Sequence, residues 1–280
     1  MTIQLGFSTL GEPRMPTQTI AELIEDTGIR GLEMRIAEGE PLTADSAPST
    51  AVGIRNALEG AHPLVLATYI GLADAAGTDP VRSGAAELGG AARLARAAGF
   101  PGIRVFMKDA VSEVESAIGL TAGERLAIER LAASAPVLAE SGVRVLIETH
   151  DSHSSAGRLR RFLDALEASA PGIRPHVGVL WDTAHTWASG EELIESLDIL
   201  GADIAHLQVK DVRRRTDPVP VSLGAGEFPI DELGEVLAQR GWHGWASLEW
   251  ERAWHPELEP LRVALSVYPR WARALNVGSV

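Results

Sequence analysis

Residues 8–16 read STLGEPRMP. They follow a short apolar run, residues 3–8, with the length and composition of a first β-strand. An open doubly wound α/β sheet would usually carry a glycine-rich phosphate turn, G-x-G-x-x-G, at this place. Here the turn holds one glycine and two prolines. It therefore favours the other common way of alternating strands and helices, a closed barrel. Outward from this turn, two textures alternate along the chain. Short β-branched or apolar runs at 3–8, 29–36, 64–70, 103–108, 143–149, 176–182, 204–210 and 245–250 read as strands. Longer stretches rich in Ala, Leu, Glu and Arg at 17–27, 48–59, 79–98, 121–141, 155–169, 190–200, 229–240 and 257–274 read as helices. Eight of each predict an α/β (β/α)8 barrel. About 250 residues suffice for that fold, so residues 1–280 are expected to form a single domain.

Local signals support the helices. Thr121 and Glu124 have the spacing of a capping box. Gly142 follows the fourth helix, where a glycine can end it. Pro136 falls inside the same helix and predicts a kink, since an interior proline costs about 3 kcal/mol.

Composition narrows the function classes. The 280 residues are 45% hydrophobic with a net charge of −13. Binding to nucleic acid is not expected, because phosphate contacts need a basic surface. An acidic groove can still hold a divalent cation. There is no cysteine, which excludes disulfides, thiolate metal sites and cysteine nucleophiles. The start, MTIQLGFSTLGEPR, lacks the basic and apolar regions of a signal peptide. No apolar run reaches bilayer-spanning length. A cytoplasmic protein without membrane contact is expected.

In such barrels, functional groups sit at the C-terminal strand ends. Period two sorts the faces. In RVLIET (144–149), Val145 and Ile147 face the helices, while Leu146 and Glu148 face the barrel interior. In VGVLWD (177–182), Leu180 and Asp182 face inward. In IAHLQVKD (204–211), His206, Gln208 and Lys210 face inward. In ASLEWE (246–251), Ser247, Glu249 and Glu251 face inward. In GLEMRI (31–36), Glu33 and Arg35 do so. The last four strands thus bring Glu148, Asp182, Gln208 and Glu249 to one rim. Three carboxylates in a partly dry cavity repel one another and resist ionisation. One divalent metal ion relieves both effects, and an all-oxygen set suits Mn²⁺ or Mg²⁺. Simpler roles exist for each residue alone. Glu148 could be solvated or meet a helix end, and Asp182 could cap the following turn. Gln208 could be a satisfied buried amide. Glu249 could pair with Arg252 or with an arginine from a neighbouring strand.

The segments LIETH (146–150), LWDTAHTW (180–187), HLQVKD (206–211), LGAGEFPIDEL (223–233) and WASLEWER (245–252) resemble strand-end motifs of the xylose isomerase-like TIM barrels. More narrowly, they resemble the sugar phosphate isomerase/epimerase group. That group includes ketose 3-epimerases, hydroxypyruvate isomerases and inosose dehydratases. The resemblance implies metal ligation by Glu148, Asp182, Gln208 and Glu249, and substrate binding by His185 and Arg213. The epimerases usually have histidine where this chain has Gln208; members resembling hydroxypyruvate isomerase have glutamine. Helices of this family often mediate dimers, which implies a homodimer.

This constellation suits proton transfer beside a carbonyl of a small polyol, sugar or keto acid. Glu148 and Glu249 are the catalytic pair, one taking a proton as general base and one returning it as general acid. Return to the same carbon epimerises, return to the neighbouring carbon isomerises, and loss of a β-hydroxyl dehydrates. His206 and His150 share the inner face and could contact substrate. Lys210 could pair with Asp211 at the rim. Arg214 and Arg215 belong to a solvated loop, 212–218. Trp187, Trp250 and Trp254 lie near the expected mouth. Two other classes are a nuclease resembling endonuclease IV and a non-catalytic sugar-binding barrel. The first would need a three-zinc cluster and a basic surface. Loss of one glutamate would favour the second, and both are present.

Overall fold

The first and last strands of the chain lie side by side, and that pairing closes the architecture. The structure is a computed structural model and describes residues 3–110 and 119–276. In chain order the strands are β1 (Gln4–Ser8), β2 (Gly31–Arg35), β3 (His62–Gly71), β4 (Gly102–Phe106), β5 (Arg144–Glu148), β6 (Val177–Asp182), β7 (Ile204–Val209), β8 (Val212–Arg214), β9 (Asp217–Pro220) and β10 (Trp245–Leu248). The helices are α1 (Thr17–Thr27), α2 (Pro48–Ala57), α3 (Pro80–Ala98), α4 (Ala122–Ser141), α5 (Ala156–Ser169), α6 (Thr183–Ala188), α7 (Leu193–Leu200), α8 (Ile230–Gln239) and α9 (Leu261–Trp271). All strands but β8 and β9 form a closed parallel barrel in the order β1-β10-β7-β6-β5-β4-β3-β2. Closure pairs Gln4 with Trp245 and Phe7 with Leu248. The expected (β/α)8 barrel is the observed fold.

The eight predicted strands all appear, with no end shifted by more than two residues. Two elements do not follow the expectation. Residues 212–218 are not a solvated loop but an antiparallel hairpin, β8 on β9, with Arg214 opposite Asp217. Residues 190–200 yield a shorter helix, α7, preceded by the separate six-residue α6. α6 exists because Asp182 caps it: its Oδ1 accepts from the N–H groups of Ala184 and His185. α4 shows both halves of the Thr121/Glu124 capping box, and Gly142 ends it at φ 68°. Pro136 lies within α4.

Two apolar layers hold the barrel. The outer one packs Val145, Ile147, Val179, Leu207 and Leu248 against the helices. Each buried aliphatic side chain of this kind contributes about 1.5–3 kcal/mol. The inner one is small: Val65, Leu146 and Leu180 fill the barrel below Glu148 and Asp182. At the base, Gly31 is required, because a Cβ there would lie 2.5 Å from the Trp245 ring. Above the plug the interior is polar. Among the described residues, the non-glycine positions with positive φ are Arg14, Lys108 and Asp151. They fall in the loops after β1, β4 and β5, on the same side of the barrel as the polar layer. Such conformations are uncommon for side-chain-bearing residues and gather where loops carry function.

Candidate active site

Glu148 ends β5, Asp182 ends β6, Gln208 is the penultimate residue of β7, and Glu249 follows β10. Parallel register pairs Glu148 with Leu180, Asp182 with Gln208, and Gln208 with Ser247. The four residues therefore step along the register, as tilted strands of a barrel require if their side chains are to meet at one height. All four are buried. Oxygen atoms of Glu148, Asp182 and Glu249 and a ring nitrogen of His185 lie within 4.8 Å of one another. The Gln208 amide is held by its Nε2, which donates to Glu33 Oε2 at 2.9 Å and to Glu249 Oε1 at 3.3 Å. Two carboxylate acceptors fix which end of the amide is nitrogen. Glu148 Oε1 and Gln208 Oε1 are buried acceptors without a hydrogen-bond partner.

Asp182 does cap the turn that follows it. One oxygen caps α6 and the other, Oδ2, faces Lys210 at 2.7 Å. Glu249 does not pair with Arg252, which reaches Glu12 instead. Its arginine is Arg104 on β4, a residue that strand-end reasoning missed. Arg104 Nη1 lies 3.1 Å from Glu148 Oε2 and 3.6 Å from Glu249 Oε1. Its Nη2 donates to Thr68 O at 2.9 Å, and the guanidinium lies over the Phe106 ring, 4.4 Å from the centroid. The signal was period two in GIRVF, which turns Arg104 inward. A single arginine in an apolar strand carries no mark of its partner, so the alternation alone does not lead to Glu148 or Glu249. Lys210 does not pair with Asp211. Its Nζ reaches Asp182, Glu249 (2.7 Å) and Glu251 (2.5 Å), with His185 Nε2 at 3.2 Å. Asp211 points away and accepts from the backbone N–H groups of Gly224, Gly226 and Phe228.

These neighbours separate the ionisation of the carboxyls. Burial pushes Glu148 up to about 8; Arg104 opposes the rise, while Glu249 and Asp182 add to it. Burial lifts Asp182 to about 6 against the pull of Lys210. Burial would raise Glu249 too, but Lys210 and Arg104 outweigh it and hold that carboxyl at about 2. Burial, aided by the Lys210 and His150 charges, pushes His185 well below the ordinary histidine value. The two glutamates are thus pushed in opposite directions, Glu148 toward its protonated form and Glu249 toward its ionised form. Carboxyl pairs whose environments push them apart in this way are suited to acid and base roles.

Of the other sequence candidates, His150 and His185 stand together over the carboxylates, ring centroids 4.5 Å apart. His150 also lies against Phe106, and Phe106 against Tyr69. His206 lies deeper, bonded through Nε2 to Glu33 Oε1. Glu33 thus anchors both His206 and Gln208. Arg213 is turned out of the group: it is half exposed and pairs with Asp217 at 2.8 Å across the hairpin turn. Arg215 is tied down, donating to Trp187 O and Glu191 O. Of the three tryptophans, Trp250 is buried in the outer layer and Trp187 packs on Phe228. Trp254 alone of them is open to solvent, 56% exposed, near Tyr69 and the Arg35 guanidinium.

Residues 21–271 match the sequence profile described as xylose isomerase-like TIM barrel. A Streptomyces coelicolor protein provisionally named a hydroxypyruvate isomerase is 28% identical over 189 residues. The match covers 66% of this chain and 63% of that protein, so less than two thirds of the relative's length is spanned. Among solved structures, the IOLI protein with a binding zinc atom superposes with a TM-score of 0.74 at 16% identity, covering 98% of this chain and 99% of its own. The apo form of 3-keto-D-glucoside 4-epimerase from E. coli gives 0.72 at 16% identity, covering 97% and 99%. At such identities the structural likeness establishes the shared fold. Among the described residues, no helix is long and apolar enough to cross a membrane.

Proposed function

The chain belongs to the xylose isomerase-like TIM barrel family, and from that premise we propose that it is a divalent-metal-dependent isomerase or epimerase of a small sugar, sugar phosphate or hydroxy-keto acid. The observation that carries this reading is the convergence of buried carboxylates beside two buried oxygens that have no partner. Glu148, Asp182, Gln208 and Glu249 would hold the ion. The donor set fits, because a cation would satisfy Glu148 Oε1 and Gln208 Oε1 and offset the repulsion among three acids. Oxygen donors suit Mn²⁺ or Mg²⁺. When bound, such an ion polarises a substrate carbonyl and stabilises negative charge beside it.

The chain's own residues move the proton. Glu148 and Glu249 approach from β5 and β10, with β6 and β7 between them. One removes a proton from the carbon next to the carbonyl and the other returns one. Arg104 bridges the pair and fixes their positions. His150 and His185 line the mouth, where hydroxyl groups of a substrate would meet them. The Gln208 position and the 28% identical relative both support a hydroxy-keto acid over a ketose as substrate.

The test is proton–deuterium exchange in D₂O across ketoses, inososes and hydroxy-keto acids with added Mn²⁺. Exchange is expected for at least one compound and is lost in Glu148→Gln and in Glu249→Gln. Exchange that persists in both variants would remove these residues from the reaction. A product lighter by one water would instead place the chain among dehydratases.

A further inference from the structure

Lys210 has no part in the proton transfers above, yet it lies at the centre of the group. Its side chain is 3% exposed, and its Nζ lies 2.7 Å from Asp182 Oδ2 and 2.7 Å from Glu249 Oε2. Both residues belong to the proposed ligand set. An oxygen already donating its lone pairs to an ammonium cannot serve a divalent ion equally well, and two cations this close repel strongly in a low-dielectric site. The third partner of Lys210 is different. Glu251 lies 2.5 Å from Nζ, is partly exposed, and is not among the acids whose oxygens converge within 4.8 Å. The lysine stem has four flexible carbons, so its head can change partners with little movement of β7.

Resting on the metal reading, we propose that Lys210 and the divalent ion exchange places: the ammonium holds Asp182 and Glu249 together in the metal-free chain, and loading of the ion passes it to Glu251. Lys210 is a positioning residue in this scheme. It prevents the acids from repelling one another before loading, and it competes with the ion that replaces it. Glu251 receives the displaced charge.

Mn²⁺ titration of the metal-free protein by calorimetry reads this directly, with thermal melts as a second readout. Lys210→Met is expected to bind Mn²⁺ at least tenfold more tightly than the parent chain. Its metal-free form should melt lower and gain more from Mn²⁺. Glu251→Gln is expected to bind at least threefold more weakly, because the displaced ammonium then has no acidic partner. Equal or weaker binding by folded Lys210→Met would overturn the exchange, as would unchanged or tighter binding by Glu251→Gln. If Lys210→Met does not fold, the Glu251→Gln titration decides alone. Binding of Mn²⁺ by none of the three proteins would instead remove the metal reading on which the exchange rests.

Discussion

Arg104 is a buried guanidinium whose neighbours include both catalytic candidates. Burial works against its charge, yet Glu148 and Glu249 raise its pKa above the ordinary arginine value. Removing one member of a buried charged group typically costs about 3–5 kcal/mol, because the remaining charge is left uncompensated. Arg104→Met keeps an unbranched apolar side chain and deletes the guanidinium that lies over Phe106. It should lower the urea stability of the metal-free protein by about 3 kcal/mol, read from the denaturation midpoint and slope. A loss under 1 kcal/mol would mean that the glutamates do not depend on it. Charged residues inside a strand are hard to read from sequence, since a lone arginine in GIRVF looks the same whether it meets solvent or a carboxylate on the neighbouring strand. Glu33 is the same case, because its partners His206 and Gln208 come from the opposite side of the barrel. Lys210 differs. Its sequence neighbour Asp211 suggested a pair, but adjacent residues of a strand point to opposite faces, and that rule alone sends Asp211 to the loop at 224–228.

Among the helices, α8 shows how propensity and packing compete. Gly234 lies in its middle, and a Cβ there would fall 2.1 Å from Ala274 O. Alanine would gain about 1 kcal/mol of helix propensity. Backbone cannot retreat as a flexible side chain can, and overpacking costs about 1–3 kcal/mol. Gly234→Ala should therefore destabilise, with a melting temperature lower by roughly 2–4 °C. A rise in melting temperature would show that residues 272–276 yield easily. The long helices and barrel strands were legible because apolar periodicity runs through them. α6 was not, because six residues are too few for a period and its existence rests on the Asp182 cap. The β8–β9 hairpin was hidden by its charge, since VRRRTDP reads as loop until Val212 finds Pro220. The convergence of Glu148, Asp182 and Glu249 was legible because it needed only strand order and alternation. Arg213 pairs with Asp217 because the hairpin reverses direction within its reach.

Acid stability belongs to the molecule as a whole. Glu124 on α4 and His153 after β5 are both buried and bonded to each other at 3.1 Å. Burial would raise Glu124, but hydrogen bonds from the His153 ring and the Thr121 N–H outweigh it and hold it at about 2. A carboxyl held low in the folded state contributes stability above its unfolded value of 4.5. That contribution is lost as pH falls from there toward about 2. Burial also lowers His153. Below 6.5 the unfolded chain takes up a proton that the folded chain resists, so this group also weakens the fold in acid. Urea midpoints should fall from pH 4.5 to pH 3, where the Glu124 contribution is lost; at higher pH the raised Glu148 and Asp182 carboxyls act in the opposite direction. Glu124→Gln retains a capping acceptor and should flatten the lower part of that slope. An identical slope would assign acid sensitivity elsewhere. Closure of β1 on β10 has its own consequence, reinforced by Asn276, which bonds Ile3 N and Ile3 O. No quarter of the barrel can leave without opening the ring, so calorimetry should show a single transition. Two resolved transitions would contradict this.

The Val65–Leu146–Leu180 plug turns the chamber into a cul-de-sac. Under the proposed function, substrate and product would both pass the end lined by His150 and His185, and a molecule would have to back out before the next could enter. On that reading, slow exit of product would limit turnover as much as chemistry does.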